Sequence, residues 1–590
     1  MARFARSKIS TLALVVLGAA TGLIGVYHLT NYSSRPSFIN GIGSKYWTHS
    51  YGTAAPPPTL TAYYPDEELD LSALRDISSK ANGFYARDYS LWLGWNNMRY
   101  IIEASLLHGR LLNRTVIIPS FVYARACEYD IAVCADYATM VNRGDATHKS
   151  DWRGLPANEQ MAWKIPITLM LNITHLRRTH SVLLISEYLR LHDLPTLREV
   201  SDGHWDTSQY HRSGANGKME PTLYTIENNL WDPHGTNRVD MLLSDMKSRG
   251  RWCSPGDDSS HCGHEGWEDT IKSPVYMSLE AALPPKKDVL DWDAARKILM
   301  AQEHAWDVST DDGMETVLNE NGWEVLYTYD GAIGQEMVQD VVLPIRQIAP
   351  RRSLRGFQDD YGHITADVVL LKGEVHATRK PGAMRFTEPG NREWYSDLVL
   401  HEIQPPSNVK ELAAILDTRM REKTGGRMWV GAHMRRGDFA RLHWAMETGF
   451  AQHLDRIKKH LTEGRKILQS LRYEVPTTYN VPNVTLDVSS LDLDPPQEAD
   501  KFYIATDERN QANVAYLREH GAVLISDLLT MEDRRKFGWQ LMLTDVLALV
   551  EQATLARGAY FYAHAMSSVA GGVLNLRAAR GADPRTALLD

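Results

Sequence analysis

The chain has 590 residues, 43% of them hydrophobic and 23% charged, which is enough apolar material for two or three ordinary domains. Its formal net charge is -9, from 73 acidic and 64 basic residues, so it lacks the cationic surplus that a phosphate backbone demands. DNA and RNA are therefore not expected as partners.

Taken in chain order, Arg3, Arg6 and Lys8 precede a run from Ile9 to Ser34 with no Asp, Glu, Lys or Arg, long enough to span a bilayer. Positive charge ahead of the span predicts a cytosolic tail over 1–8, a single-pass transmembrane signal anchor over 9–30, and everything later in the lumen of the Golgi or endoplasmic reticulum. Gly18, Ala19 and Ala20 leave a cleaved signal peptide as the alternative. Residues 31–70 read as a stem, extended by Pro36, Pro56, Pro57, Pro58 and Pro65. The four cysteines form two local pairs, Cys127 with Cys134 and Cys253 with Cys262, and short loops in an oxidising lumen close as disulfides. Sequons stand at Asn31, Asn113, Asn172 and Asn483. Asn113, between a helical pattern and an apolar strand, is expected to stay bare because a glycan there would collide with the core.

A folded body follows, expected as one unit over 71–350 and a second over 351–590. Leu93-Gly94-Trp95-Asn96-Asn97 leads into a helical pattern through Met98, Ile101, Ile102 and Leu106, after which Val116-Ile117-Ile118 reads as a buried strand. Loop, helix and strand in that order are the unit of a doubly wound sheet. The polar stretch 201–266 reads as an insertion. Asp291-Trp292-Asp293 and Asp492-Leu493-Asp494 resemble the carboxylate pairs of manganese-dependent transferases. Neither follows a clear apolar strand, and a metal needs converging oxygen ligands rather than a tripeptide, so no metal ion is expected. In the second unit Asn408 and Glu411 suggest a capping box ahead of Val409, Leu412, Leu416 and Met420, with Gly425 and Gly426 ending the helix.

Met428 to Ala432 then reads as a strand feeding His433-Met434-Arg435-Arg436-Gly437-Asp438. Residues two apart on a strand share a face, so His433 and Arg435 point together toward the crevice where α/β sheets bind ligands. An Arg fork there suits the negative charge that a departing diphosphate gains. Phe502 to Glu508 is a strand ending in carboxylates, and Asp507 is placed to accept hydrogen bonds from a nucleotide; helix capping is its competing role. Ala559 to Ala563 is a third strand, followed by Ser567, Ser568 and a helix start able to cradle phosphate.

These elements together resemble the GDP-fucose protein O-fucosyltransferase superfamily, nearest to its fungal branch. The likeness rests on His433 to Asp438, Ala505 to Asp507, Ser567 to Val569, and Gly94 to Asn96, with Asn97 where glutamine is usual. The resemblance implies a GT-B-like α/β fold: two Rossmann-like domains facing a cleft, the first holding the acceptor, the second a nucleotide sugar. It implies an inverting, metal-independent glycosyltransferase moving fucose from GDP-fucose, as donor substrate and not as a resident cofactor, to a protein or glycan hydroxyl. Arg435 and Asn96 would act in catalysis; His433, Arg435, Asp507, Ser567 and Ser568 would hold the donor; Gly94 and Asp438 would shape the loops. Some members carry a glutamate just before the loop glycine. Leu93 stands there in this chain, so the general base does not carry over, and Glu374, His376 and Asp438 are its candidates. A UDP-sugar transferase of rhamnosyl type and a catalytically silent glycan-binding protein are the competing readings.

Overall fold

The computed structural model describes residues 68–147, 160–227, 235–253, 267, 273–284, 289–302, 306–330, 340–373, 385–436, 439–440, 443–487 and 492–590. The expected tail and anchor, nearly all of the stem, and with them Asn31, lie outside those residues. Among the described residues no helix is long and apolar enough to cross a membrane.

The chain folds as mixed α/β on two five-stranded sheets, all of whose strands run parallel. The first comprises β1 (Phe84–Arg87), β2 (Thr115–Ile118), β3 (Val182–Leu184), β4 (Leu223–Ile226) and β5 (Val368–Leu371), in the order β3-β2-β1-β5-β4. The second comprises β6 (Val430–Met434), β7 (Phe502–Thr506), β8 (Ala522–Val523), β9 (Tyr560–Ala563) and β10 (Ala587–Leu589), in the order β8-β7-β6-β9-β10. Central strands such as Thr-Val-Ile-Ile and Val-Val-Leu-Leu are buried at every position, as a sheet covered on both faces requires.

Two sequence expectations need correction here. The first sheet takes its fourth neighbour in space, β5, from residues 368–371, so a division at 350/351 falls inside the first unit; no Pro- or Gly-rich linker marks the true return of the chain. The stretch 201–266 is also more than an insertion, because it supplies the edge strand β4. Leu223-Tyr224-Thr225-Ile226 is a four-residue apolar run that the polarity of its surroundings hides.

The helices packed around these sheets include α1 (Trp95–Leu111), α2 (Ser407–Lys423), α3 (Phe450–Ser470), α4 (Thr544–Leu555) and α5 (Ser568–Ala579). The capping box expected at Asn408 and Glu411 is not what starts α2. The helix begins at Ser407 after Pro406, and Asn408 sits in its first turn, accepting from the Val409 amide at 2.9 Å. Gly425 and Gly426 do end it, at φ of 65° and 84°, where any side chain would be strained.

Strand alternation divides the core around β6. Val430, Ala432 and Met434 face α3 and pack with Leu454, Ile457, Leu461, Ile504 and Tyr562. Trp429, Tyr503, Ala505, Phe561 and Ala563 face the other way, into one continuous core with α1, α2, α4 and α5 that also includes Tyr85, Ile102 and Val369 of the first sheet and its helix. The two sheets thus share apolar material. Hydrogen bonds reinforce the seam: the Arg125 amide donates to Asp545 at 2.8 Å, the Glu128 amide to the Met542 carbonyl at 2.8 Å, and the Thr544 amide to the Ala126 carbonyl at 3.0 Å.

Cys127 and Cys134 form a disulfide, as their spacing suggested. Cys253 is also disulfide-bonded, and its expected partner Cys262 lies outside the described residues. Asn113 corrects a fourth expectation: it is exposed just beyond α1, in the left-handed region at φ 51°, so a glycan on it would meet solvent rather than core.

Leu461 is fully buried between α3 and the second sheet. Leu461→Ala should therefore lower unfolding stability by about 2–5 kcal/mol. Urea denaturation followed by circular dichroism reads this directly, and an unchanged midpoint would mean that α3 does not close the core.

Candidate active site

In each sheet the strand order reverses once, between β1 and β5 in the first and between β6 and β9 in the second. Such switch points leave a crevice beyond the carboxyl ends of the strands. The segments following β1 and β6 both lead into a single cavity of 180 Å³, lined by Gly94 to Asn97 from one side and by Arg435, Asp507, Glu551 and Ser567 to Val569 from the other.

The strand end after β6 is fixed by one carboxylate. Asp507, at the end of β7, meets the Arg435 guanidinium at 2.7 Å through Oδ2 and accepts from the Arg436 amide at 2.9 Å through Oδ1. Asp507 was expected to read the nucleotide or to cap a helix; it lines the cavity, and the following helix is capped by Asn510 instead. The Arg435 guanidinium also lies 5.1 Å from the centre of the Phe439 ring. Arg436 turns the other way, as alternation requires, and donates to the carbonyls of Glu447 and Thr448, both at 2.9 Å. It shapes the loop.

His433 is buried on the cavity side of β6, with Nε2 3.0 Å from the Ser567 hydroxyl. Burial holds its imidazole down to about pKa 4, with nearby Arg435 adding to the effect and Asp507 opposing it. The ring is neutral at physiological pH. Ser567 is the N-cap of α5, yet its hydroxyl makes no capping bond to the helix because it meets His433 instead. The positive end of α5, with Ser567 and Ser568, borders the cavity and suits an anion.

From the first sheet, Gly94 is the N-cap of α1 and Asn96 lies in the helix's first turn. A Cβ on Gly94 would lie 2.4 Å from the Arg125 guanidinium, so glycine is required for Arg125 to approach this backbone. Asn96 Oδ1 accepts from Gln552 Nε2 at 2.9 Å, tying α1 to α4. Tyr100 strengthens the tie by donating to the Ser568 carbonyl at 3.1 Å. Asn96 therefore sits at the junction of the two halves. Asp438, Glu374 and His376 lie outside the described residues.

Sequence reasoning missed Arg125, Arg509, Asp545, Glu551 and Gln552, all of which line the cavity. The signal was present on α4, where Asp545, Ala548 and Glu551-Gln552 recur at helical spacing through an otherwise apolar segment. Glu551 makes no hydrogen bond or ion pair among the described residues. Burial pushes its carboxyl up to about pKa 8, with Glu128 and Asp507 adding to the rise and Arg509 opposing it. The two Asp-x-Asp sequences have structural occupations: Asp291 caps a helix by accepting from Ala294, and Asp494 accepts from Arg472 at 2.7 Å. Among the described residues no group of three His, Cys, Asp or Glu side chains converges as metal ligands.

No family model matches the chain, and no curated protein matches it. Among solved structures, POFUT1 in complex with GDP-fucose is similar at 11% identity and a TM-score of 0.28, over 86% of this chain and 98% of that one. POFUT1 in complex with GDP is similar at 9% identity and a TM-score of 0.31, over the same shares. The apo form of POFUT1 is similar at 10% identity and a TM-score of 0.29, over 89% of this chain and 99% of that one.

Proposed function

We propose that the protein is an inverting glycosyltransferase of GT-B type that uses GDP-fucose as donor. The observation that carries the reading is the convergence of Arg435, Ser567 and the N-terminus of α5 on one cavity at the switch point of a parallel sheet. In the reaction an acceptor hydroxyl attacks the anomeric carbon, the bond to the diphosphate breaks with its electron pair leaving on the nucleotide, and the hydroxyl proton is then lost to water. Charge then grows on the diphosphate oxygens. Arg435 is a fork donor suited to that charge, and the helix end supplies a second positive partner, so the chain's own groups supply the stabilisation for which other transferases use a metal. Asn96 contributes from the opposite wall, where the acceptor, a protein or glycan hydroxyl, would approach.

Asp507 holds the β6 loop and still borders the cavity as a contact for the nucleotide, and Glu551 offers a second carboxylate for reading the base. Glu551 is the uncommitted carboxylate of the cavity. A carboxylate pairs with two neighbouring N–H donors, which the guanine edge offers and uracil does not. Its raised pKa gives the interaction a pH signature: below pH 8 the free carboxyl must lose its proton before it can accept both donors. The disulfide at Cys127 and Cys134 supports an oxidising compartment. A lumenal protein held by a signal anchor over 9–30 in the Golgi or endoplasmic reticulum is the placement that fits it.

The reading has three tests. In a thermal-shift panel GDP should raise the melting temperature with or without added divalent cation, whereas stabilisation by UDP alone would reject the donor. Arg435→Ala should lower kcat for sugar transfer by about 10²–10³ and also lower the melting temperature, since Asp507 loses its cation; a folded variant of normal activity would end the mechanism. In calorimetry GDP affinity should rise from about pH 6.5 to 8, by up to about tenfold per unit, above the titration of the nucleotide's own phosphate near 6. Glu551→Gln should flatten that profile, and an unaltered slope would remove Glu551 from base recognition.

A further inference from the structure

A second cavity, of 330 Å³, lies at the amino ends of the strands of the first sheet, opposite the candidate active site, and shares no residue with it. The segments just ahead of β1, β2 and β3 meet the last turn of α1 and the helix Pro389–Asp397 around it. Trp394 stands in the wall. The Arg110 guanidinium lies 4.4 Å from the centre of its ring, and His180 packs T-shaped against it at 5.6 Å.

The fold engages only part of the polar capacity of this wall. Arg114 donates to the carbonyls of Ile364 and Ala366 at 2.6 and 2.7 Å, Asp397 accepts from Asn483 at 2.8 Å through Oδ1, and Glu402 accepts from the Thr179 hydroxyl at 2.9 Å through Oε2. Among the described residues, Asp397 Oδ2, Glu402 Oε1, the Asn113 carboxamide and the Arg110 guanidinium make no hydrogen bond. Asp397 and Glu402 disfavour an anionic guest, Lys80, Arg110 and Arg114 disfavour a cationic one, and all of them disfavour an apolar one. Hydroxyls, each a donor and an acceptor at once, match a wall that offers both, and a sugar ring adds a C–H face for the indole.

The sequence supplies a sugar at the wall itself. Asn113 lines the cavity, is exposed, and opens the sequon Asn113-Arg114-Thr115. Thr115 is fully buried with its hydroxyl 2.9 Å from Ser181 Oγ, so the sequon can be read only before β2 pairs, as happens on a chain still being synthesised. We propose that Asn113 carries an N-linked glycan and that its innermost N-acetylglucosamine occupies this cavity, with Asp397, Glu402 and Arg110 as hydrogen-bond partners beside Trp394. In the transfer the bond from Asn113 Nδ2 to the sugar C1 forms while the C1–O bond to a lipid diphosphate breaks. The diphosphate keeps the electron pair and the amide gives up one proton. The lipid-linked oligosaccharide and its transferase come from the secretory lumen, so the inference rests on the lumenal placement proposed above and not on the donor reading. Once seated, the sugar ties the loop ahead of β2 to the helix Pro389–Asp397.

The test uses the full chain made in a secretory host with high-mannose glycans. Peptide mass spectrometry should find Asn113 glycosylated. After every glycan is trimmed to one N-acetylglucosamine, Asn113→Gln should lower the melting temperature by about 1–2 °C beyond the strain of glutamine at a positive φ. That strain is common to all backgrounds and cancels in a double-mutant cycle. In a Trp394→Ala background, or in Glu402→Gln if the first does not fold, the loss caused by Asn113→Gln should shrink by half or more. A sugar that merely hangs in solvent would give the same loss in every background, and that result overturns the proposal. So does an unmodified Asn113: with Asn172 or Asn483 glycosylated the seat alone fails, whereas with all three bare the lumenal placement fails too.

Discussion

The architecture of the cavity at the switch point of the second sheet depends on how one carboxylate divides its two oxygens. Asp507 holds the Arg435 guanidinium with one and the Arg436 backbone with the other, so the end of β6 is anchored to the end of β7 at two points. A free arginine at a strand end would sample many rotamers, and each ordered long side chain costs up to about 2 kcal/mol in entropy. Here the ordering is already done. The guanidinium borders the cavity in a position set by the sheet, and a ligand does not have to organise it from solvent. The same pairing lowers the cost of keeping a largely buried cation in place.

The second constraint is the wedge of α4 and α5 between the sheets. These helices belong to the second sheet by connectivity, yet their contacts with α1 through Gln552 and Ser568 make them part of the first. A movement of one sheet against the other would have to break the Asn96–Gln552 bond, the seam at Ala126 to Glu128, and a continuous apolar core. The cavity therefore has walls from both halves, with its polar groups held by backbone elements rather than by surface loops alone.

Much of this was legible in the sequence because the signals were local. Strand alternation placed His433 and Arg435 on one face, the apolar runs gave the central strands, and glycine pairs ended α2. What was not legible depended on distance along the chain. One partner of Arg435, Asp507, is 72 residues away along the chain. Glu551 and Gln552 sat inside a helix that reads as ordinary core until its polar stripe is set against a cavity. The return of the chain to the first sheet at β5 was hidden for a related reason: Val-Val-Leu-Leu reads as a buried strand anywhere, and only pairing with β1 assigns it to a sheet.

The neutrality of His433 has a consequence for how the cavity responds to its surroundings. An imidazole of ordinary pKa beside a serine hydroxyl would gain a proton on mild acidification, adding charge and losing its role as an acceptor. Buried at the cavity wall, this ring stays neutral beside Ser567 from neutral pH down to about 5. The serine hydroxyl at the head of α5 thus keeps the same neutral partner, and the geometry presented to an incoming anion is insulated from modest changes in acidity.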